Sequence, residues 1–521
     1  MKSLFPEKIH YYIYIFALLI LVVGLPLSKF LMSLAEIILA CNWLLEGGVK
    51  NKFVCFWKNK TALILSSLLL LHFVGLFYTD DCAYALKDIR IKVPLLILPL
   101  IISTSKPISQ KIFDLILYIF IQAIIIGTII STLILVGIIH RPIVDIRNIS
   151  IFISHIRFAL LICVAVFISA HYFLKAVTNL NKILWFLVII WLVIFLILME
   201  SLTGLGALFI VLIALIIYGI FTIENRILKY GGLIFICCAI PILFMYLNSI
   251  VKNKNDKNDL SISKLDSCTS QFNLYEHDLT GKLTENGNLI WINVCKKEIV
   301  ESWNSRSNIK IGENDLSGND LYFTLIRFLT SKGLKKDAAG VLLLTDNELK
   351  AIERGVPNVN YQSISSLKGR IYETLWEIDL YNTTGVASGH SLTQRFEYWK
   401  TAWCIVKNNL LFGVGTGDVP MAFEEMYIKN NSLLNKEWRL RAHNQYLTIA
   451  VAFGFIGFIW FLITLIYPIL REKNIKTDFI YMTFFIIAIV SFFAEDTLET
   501  QAGVTFYAFI NSFLLFAKEK K

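Results

Sequence analysis

Charge is scarce in this sequence. Asp, Glu, Lys and Arg make up only 17% of its 521 residues, and 56% are apolar, with 38 Phe and 21 Tyr; soluble domains carry about a quarter charged residues. That composition excludes an ordinary soluble globular chain. Metal-ligand spacing is missing as well: no group of His, Cys, Asp or Glu recurs at the intervals a bound ion requires, so a metal-independent site is expected. A nucleotide loop is also missing. GVGTGD, at Gly413 to Asp418, has the glycines of a phosphate cradle but no following Lys-Ser/Thr and no strand–turn–helix context, so it reads as a turn. No cofactor is expected. Lys2 and Lys8 precede an apolar run, as in a secretion signal, yet no small-residue cleavage site follows and a second apolar run arrives at once. The first run therefore reads as a retained span. A net charge of +10 would suit nucleic acid, but in membrane proteins Lys and Arg gather in cytoplasmic loops, and no nucleic-acid partner is expected.

What the chain has in abundance is apolar runs long enough, at about 20 residues, to cross roughly 30 Å of hydrocarbon. They fall near 11–27, 30–46, 61–79, 91–104, 112–137, 156–174, 182–199, 203–221, 230–248, 445–469, 477–494 and 502–517. The expectation is an all-α polytopic membrane protein of about twelve transmembrane helices embedded in the lipid bilayer. The fourth run is short and carries Pro94 and Pro99. Twelve crossings put both termini on one side, and the connections on that side hold Lys50, Lys52, Lys58, Lys60, Lys106, Lys111, Lys175, Lys182, Arg226, Lys229, Arg471, Lys473 and Lys476. That is the cytoplasmic signature. The alternate connections include Glu200–Leu202 and Glu495–Gln501, which hold no Lys or Arg. The polar stretch from Asn248 to Arg441 then lies outside, as a mixed α/β insert between the ninth and tenth spans. Three parts are expected: residues 1–248, 249–441 and 442–521. Cys268 and Cys295 face an oxidising compartment in this topology, and a disulfide and two free thiols both stay open. Gly454 and Gly457 in the tenth span read as close-packing positions.

The informative cations break the charge rule. HRPIVDIRNISIFISHIRFALL puts Arg141, Arg147 and Arg157 at the outer surface, with Arg157 bordering an apolar run. Lys87, Arg90 and Lys92 join them, as do Arg439 and Arg441 beside His443 in WRLRAHNQYL. Ionisable groups at such places are functional candidates, with an anion as the natural partner. The guanidinium fork holds phosphate oxygens bidentately and keeps its charge, so a phosphate or pyrophosphate is the simplest choice. His443, followed by Asn444, Gln445 and Tyr446 at a helix entrance, is the candidate for proton transfer from an attacking hydroxyl. His10, His72, His155, His171 and His277 have no polar constellation and receive no role.

The stretch TQRFEYWKTAWCIVKNNLLFGVGTGD, then RAHNQYLTIAVAFGFIGF, resembles the O-antigen ligase/polymerase superfamily of bacterial surface-glycan enzymes, and LIRFLTSKGLKKDAAGV looks like the external domain of its Bacteroidota members. The resemblance implies a GT-C-type glycosyltransferase in the bacterial inner membrane, with its large loop periplasmic. It would take a glycan from undecaprenyl pyrophosphate and pass it, with inversion, to a sugar hydroxyl of lipid A-core. Repeat-unit polymerisation and protein O-glycosylation are the alternatives within the class, and lipid-linked glycan transport is the alternative outside it. The family's histidine maps onto His443 and its pyrophosphate-binding arginines onto Arg157 and Arg395, then Arg441 and Arg147. Asn444 and Asp418 are supporting candidates. One departure stands out: Ser201-Leu202-Thr203-Gly204 has Leu202 where many relatives carry an Arg.

Overall fold

The computed structural model describes residues 4–141, 146–222, 229–235, 237–238, 241–242, 245, 265–280, 283–361 and 367–519, without the side chains of residues 147, 367, 368, 370, 473 and 474. Nearly all regular structure is helical. The first part of the chain forms α1 (Glu7–Leu27), α2 (Lys29–Leu45), α3 (Val49–Lys58), α4 (Lys60–Val74), α5 (Cys82–Lys92), α6 (Pro94–Thr104), α7 (Gln110–Leu135), α8 (His155–Lys175), α9 (Asn179–Leu198) and α10 (Leu202–Thr222). The insert contributes α11 (Lys296–Arg306), α12 (Leu321–Ser331), α13 (Ala338–Leu342), α14 (Asp346–Glu353) and α15 (Leu367–Thr384). The rest folds into α16 (Ser391–Asn408), α17 (Val419–Lys429), α18 (Gln445–Arg471), α19 (Phe479–Ala494) and α20 (Gln501–Phe516).

Among the described residues, seven helices are long and apolar enough to cross a membrane: α1, α4 with its 3-10 continuation to Tyr78, α7, α8, α9, α10 and α18. An eighth is possible if α2 and α3, bent by 112°, form one broken span. α6, α19 and α20 are shorter apolar helices at three further runs of the sequence. The ninth run, 230–248, lies largely outside the described residues. Backbone amides cannot go unpaired in hydrocarbon, which is why each run closes on itself as a helix. The turns between runs have local causes. Ser28 caps α2 by accepting from Leu31 N at 3.3 Å, and Gly24 lets the α2 backbone lie directly against α1. Gly47 and Gly48, both at positive φ, make the bend into α3.

The chain divides into two compact units, one of Met1–Arg141, Ile149–Ala214 and Gln394–Lys521, the other of Pro142–Asn148 and Leu215–Thr393. Residues 394–441, grouped with the insert on sequence, cluster with the membrane helices instead. The second unit has its own core, in which Trp303, Leu325, Phe328 and Ile352 are fully buried. The mixed α/β insert expected from the sequence is chiefly helical. Its sheet, among the described residues, is one hairpin of β1 (Thr284–Glu285) with β2 (Asn288–Leu289). The reason is periodicity: Leu321, Leu325, Phe328 and Leu329 recur at helical spacing behind the Asp320 cap, so that run buries one face as α12. Cys268 and Cys295 are both free, the first exposed and the second buried.

Candidate active site

α18 begins at the point where the sequence set its strongest candidate. Asn444 is the N-cap, its side chain accepting from Leu447 N at 3.1 Å. Immediately before it, His443 adopts φ 46, the left-handed region that a residue with a Cβ rarely enters. Asp496, in the connection between α19 and α20, fixes that conformation. Its Oδ2 accepts from His443 N at 3.0 Å, and its Oδ1 accepts from Asn444 N at 2.9 Å and Thr448 Oγ1 at 2.6 Å. One carboxylate thus takes up amide donors that a helix N-terminus leaves unpaired, with the helix dipole in its favour. Burial nevertheless pushes the Asp496 carboxyl above its ordinary value, partly offset by Arg441 and His443.

Glu495 gathers the other predicted residues. Its Oε2 lies 3.4 Å from His443 Nδ1, and its Oε1 accepts from the Arg395 guanidinium at 3.1 Å. Burial opposes ionisation of Glu495, but the hydrogen bond and charge of His443, with the charges of Arg395 and Arg157, hold it below the usual glutamate range. An ionised carboxylate offers only acceptors, so His443 Nδ1 carries a proton towards it, which leaves Nε2 as the nitrogen able to exchange a proton with a reactant. The side chain of His443 is 34% exposed, enough for a reactant to reach it. Tyr398 stacks on the imidazole with ring centroids 5.6 Å apart and is anchored by donating to Trp438 O at 2.9 Å. Trp399 Nε1 donates to Ala442 O at 3.0 Å, tying α16 to the backbone just before the histidine. Arg157, in the first turn of α8, has its Nε buried with no hydrogen-bond partner, a donor available to an incoming anion.

Arg441 serves a different neighbour. Its Nη1 donates to Glu499 Oε2 at 2.8 Å. The same carboxylate accepts from Lys92 Nζ at 2.7 Å and Gln445 Nε2 at 3.1 Å, while Lys92 also binds Asp88 at 2.6 Å. Burial opposes charge on Glu499, yet Lys92 and Arg441 drive its pKa far below the carboxylate range. Gln445 Oε1 accepts from Leu498 N at 2.7 Å, so this ion network welds the start of α18 to the 495–500 connection. Arg439, its neighbour in sequence, pairs with Glu424 at 3.0 Å.

The arrangement brings together His443, Asn444, Arg395 and Arg157, with Arg441 two residues before the histidine in the stretch leading into α18. It leaves Asp418 elsewhere: that carboxylate accepts from Asp80 N and Asp81 N at 2.8 to 3.1 Å and holds the entrance to α5. The Arg147 side chain lies outside the described residues. Leu202, in the place of a family Arg, is exposed at the start of α10. GVGTGD is a packing turn, with Val414 N and Gly415 N donating to Val451 O and Ala452 O of α18. Glu495, Asp496 and Glu499 were missed on sequence, where AEDTLETQ registered only as a connection without Lys or Arg. Three acids in five residues, at the end of the bundle where unexplained cations collect, were the available signal. Among the described residues no three His, Cys, Asp or Glu stand where they would share a metal ion.

No curated protein matches the chain. Residues 338–462, which carry Arg395, Arg441, His443 and Asn444, match the family model Wzy_C, O-antigen ligase, and that match supports the O-antigen ligase superfamily for this chain.

Proposed function

We propose that this protein is a glycosyltransferase that moves a glycan from undecaprenyl pyrophosphate to a sugar hydroxyl of lipid A-core on the periplasmic face of the bacterial inner membrane. Twelve spans, with both termini cytoplasmic, complete the reading. The observation that carries it is the convergence on Glu495: one carboxylate orients the His443 imidazole, accepts from Arg395 and stands in the field of Arg157. A lipid pyrophosphate is already a good leaving group, so catalysis consists of positioning and of stabilising the charge that departs. Arg157 and Arg395 grip the pyrophosphate. His443 Nε2 takes the proton from the acceptor hydroxyl as its oxygen attacks C1 from the face opposite the leaving group, which inverts that centre. The C1–O bond to the pyrophosphate breaks with its electron pair going to undecaprenyl pyrophosphate, and no metal takes part.

The test is transfer in vitro by the purified full-length chain, from a defined undecaprenyl-pyrophosphate glycan to lipid A-core, with and without EDTA. Transfer should survive chelation. It should vanish in His443→Gly, a variant that relieves the left-handed side chain and so keeps its thermal stability. Loss of activity in EDTA would remove the metal-free mechanism, and undiminished transfer by the glycine variant would remove the histidine.

A further inference from the structure

The end of the bundle away from His443 is marked by a set of ties. His10 Nδ1 lies 2.7 Å from Asn42 Oδ1, joining the start of α1 to the end of α2. Trp43 Nε1 donates to Thr104 Oγ1 at 2.8 Å, adding the end of α6, and Ile108 N donates to Ala517 O at 2.8 Å, adding the end of α20. Thr61 Oγ1 donates to Glu472 Oε1 at 2.8 Å, which brings the start of α4 to the end of α18. α3 lies at this end, between α2 and α4. It leaves α2 at 112°, a little past a right angle, so with α2 along the membrane normal α3 runs close to the membrane plane. The corner is fixed rather than loose: Lys52 Nζ reaches back over it and donates to Trp43 O and Glu46 Oε2, both at 2.6 Å.

At about 100° per residue, α3 shows three faces. Phe56 is buried, and α3 packs on α4 and α6. Beside that face Phe53 and Trp57 stand one turn apart and are exposed, Trp57 by 69%. The remaining arc holds Asn51, Cys55 and Lys58, all exposed, and Lys50 and Val54 fall on the border between the last two faces. Phe53 packs edge-on against Trp43, ring centroids 5.6 Å apart, and the exposed Leu44 and Leu45 follow Trp43. The apolar face of α3 therefore adjoins an end of α2 that is itself apolar and exposed. The charge is of one sign. Lys50, Lys58 and, just past the helix, Lys60 are exposed and make no ion pair among the described residues, and no Asp or Glu occurs from Gly47 to Thr79.

We propose that α3 is an interfacial helix, lying in the leaflet surface at the end of the bundle that holds the C-terminus and seated there on anionic phospholipid. Phe53 and Trp57 sink into the boundary between headgroups and acyl chains, while Asn51, Cys55 and Lys58 face water. Lys50, Lys58 and Lys60 meet the lipid phosphates, Lys50 by running its stem along the apolar face. As the second half of a span, α3 would carry its lysines into hydrocarbon, where charge is expensive. Standing free in water, it would leave an indole and a phenyl ring wet on one face. On the topology proposed above that leaflet is the cytoplasmic one; the seating and the lipid preference depend neither on that assignment nor on the transfer reaction.

Two measurements on the full-length protein in vesicles test it. In the first, a nitroxide is carried in turn by Asn51→Cys, Phe53→Cys, Trp57→Cys and the native Cys55, with every other exposed cysteine replaced by serine, and its collisions with oxygen and with a neutral nickel chelate are compared. Oxygen should dominate at 53 and 57, and the chelate at 51 and 55. Oxygen dominant at all four positions would make α3 part of a span, and the chelate dominant at all four would put it in water or against a protein; either result overturns the proposal. The second keeps the native cysteines. Phosphatidylcholine vesicles are doped equally with phosphatidylglycerol and phosphatidylcholine that carry a diazirine at the top of one acyl chain. Illumination should attach the glycerol lipid to residues 49–60 about fivefold more often than the choline lipid, the preference that one lysine near a charged surface confers. The triple variant Lys50→Gln, Lys58→Gln, Lys60→Gln should bring the ratio to one. Equal yields in the unsubstituted protein, or a preference that survives the triple variant, overturns the proposal. His443→Gly should change neither measurement, so loss of transfer and loss of the seating are told apart.

Discussion

Glu495 does for His443 what a residue on the same helix could not: it comes from a separate connection, so the imidazole is oriented by tertiary structure rather than by its own turn. Replacing it with glutamine keeps the shape and removes the charge. Glu495→Gln should lower kcat about a hundredfold while KM changes little, because the imidazole loses the acceptor that sets its tautomer. The pH dependence has a definite sign. The native carboxyl titrates below its ordinary value, so its contribution is fully present above the unfolded value and is lost only as pH falls through the depressed one. Transfer that depends on Glu495 should therefore hold level from about pH 5 to 8 on this group's account. Equal rates for wild type and variant across that range, measured in the same assay, would remove Glu495 from the site. Arg157 and Arg441 stood out in the sequence because each sat where topology disfavours it, whereas Arg395 entered only through the family resemblance. Their acidic partners were not, since an acid on the outer side breaks no rule and stands out only once the fold brings it against a cation. Arg441 illustrates the limit: its position marked it as a ligand for an anion, and the anion it holds is Glu499.

At the level of elements, α18 is two helices joined through Gly454, at φ 61 and ψ −161, a conformation that only glycine adopts readily. The break leaves the carbonyls of Val451 and Ala452 without their helical donors, and the 413–415 turn supplies amides in their place. Phe455 N and Ile456 N donate in return to Leu410 O and Leu411 O, at 2.7 and 3.3 Å. A Cβ on Gly454 would strike the backbone of Leu411 and Phe412. Gly454→Ala should accordingly cost about 3 kcal/mol or more, combining the forbidden backbone region with the displaced turn. Thermal unfolding in detergent checks it, and a variant as stable as wild type would mean that the break is dispensable. The sequence disclosed this glycine as a packing position but not as a break, because an apolar run looks the same whether the helix inside it is continuous or interrupted. α3 escaped for a different reason: Val49–Lys58 lies in the Lys-bearing connection after the run at 30–46 and is not itself an apolar run. The apolar runs themselves were plain, since hydrocarbon forces length and composition on each of them.

For the molecule as a whole, the proposed chemistry requires the histidine, the start of α20 and the insert to face the same compartment, with the termini opposite. The fold already joins the first two: Leu498 N donates to Gln445 Oε1, and Glu499 is shared by Arg441 and Lys92, so the ends of α5, α18 and α20 cannot face different sides. The proposed topology puts the insert on that side too. Its native Cys268 is exposed and gives a reporter that needs no engineered domain. In intact spheroplasts, with the exposed Cys82 first replaced by serine, a membrane-impermeant maleimide should modify Cys268, and substitution of that residue by serine should then remove the signal. A cysteine placed at Lys518, by contrast, should react only after the membrane is broken. The two labels are independent, and their combination fixes the parity of the crossings: opposite accessibility requires an odd number between residue 268 and the C-terminus, as three spans in α18, α19 and α20 provide. Equal accessibility would mean that α20 turns back without crossing, since the hydrogen bonds between the starts of α18 and α20 require α19 to cross. The 495–500 connection and the ion network that holds His443 would then lie on the same side as the C-terminus, against what the proposed chemistry requires.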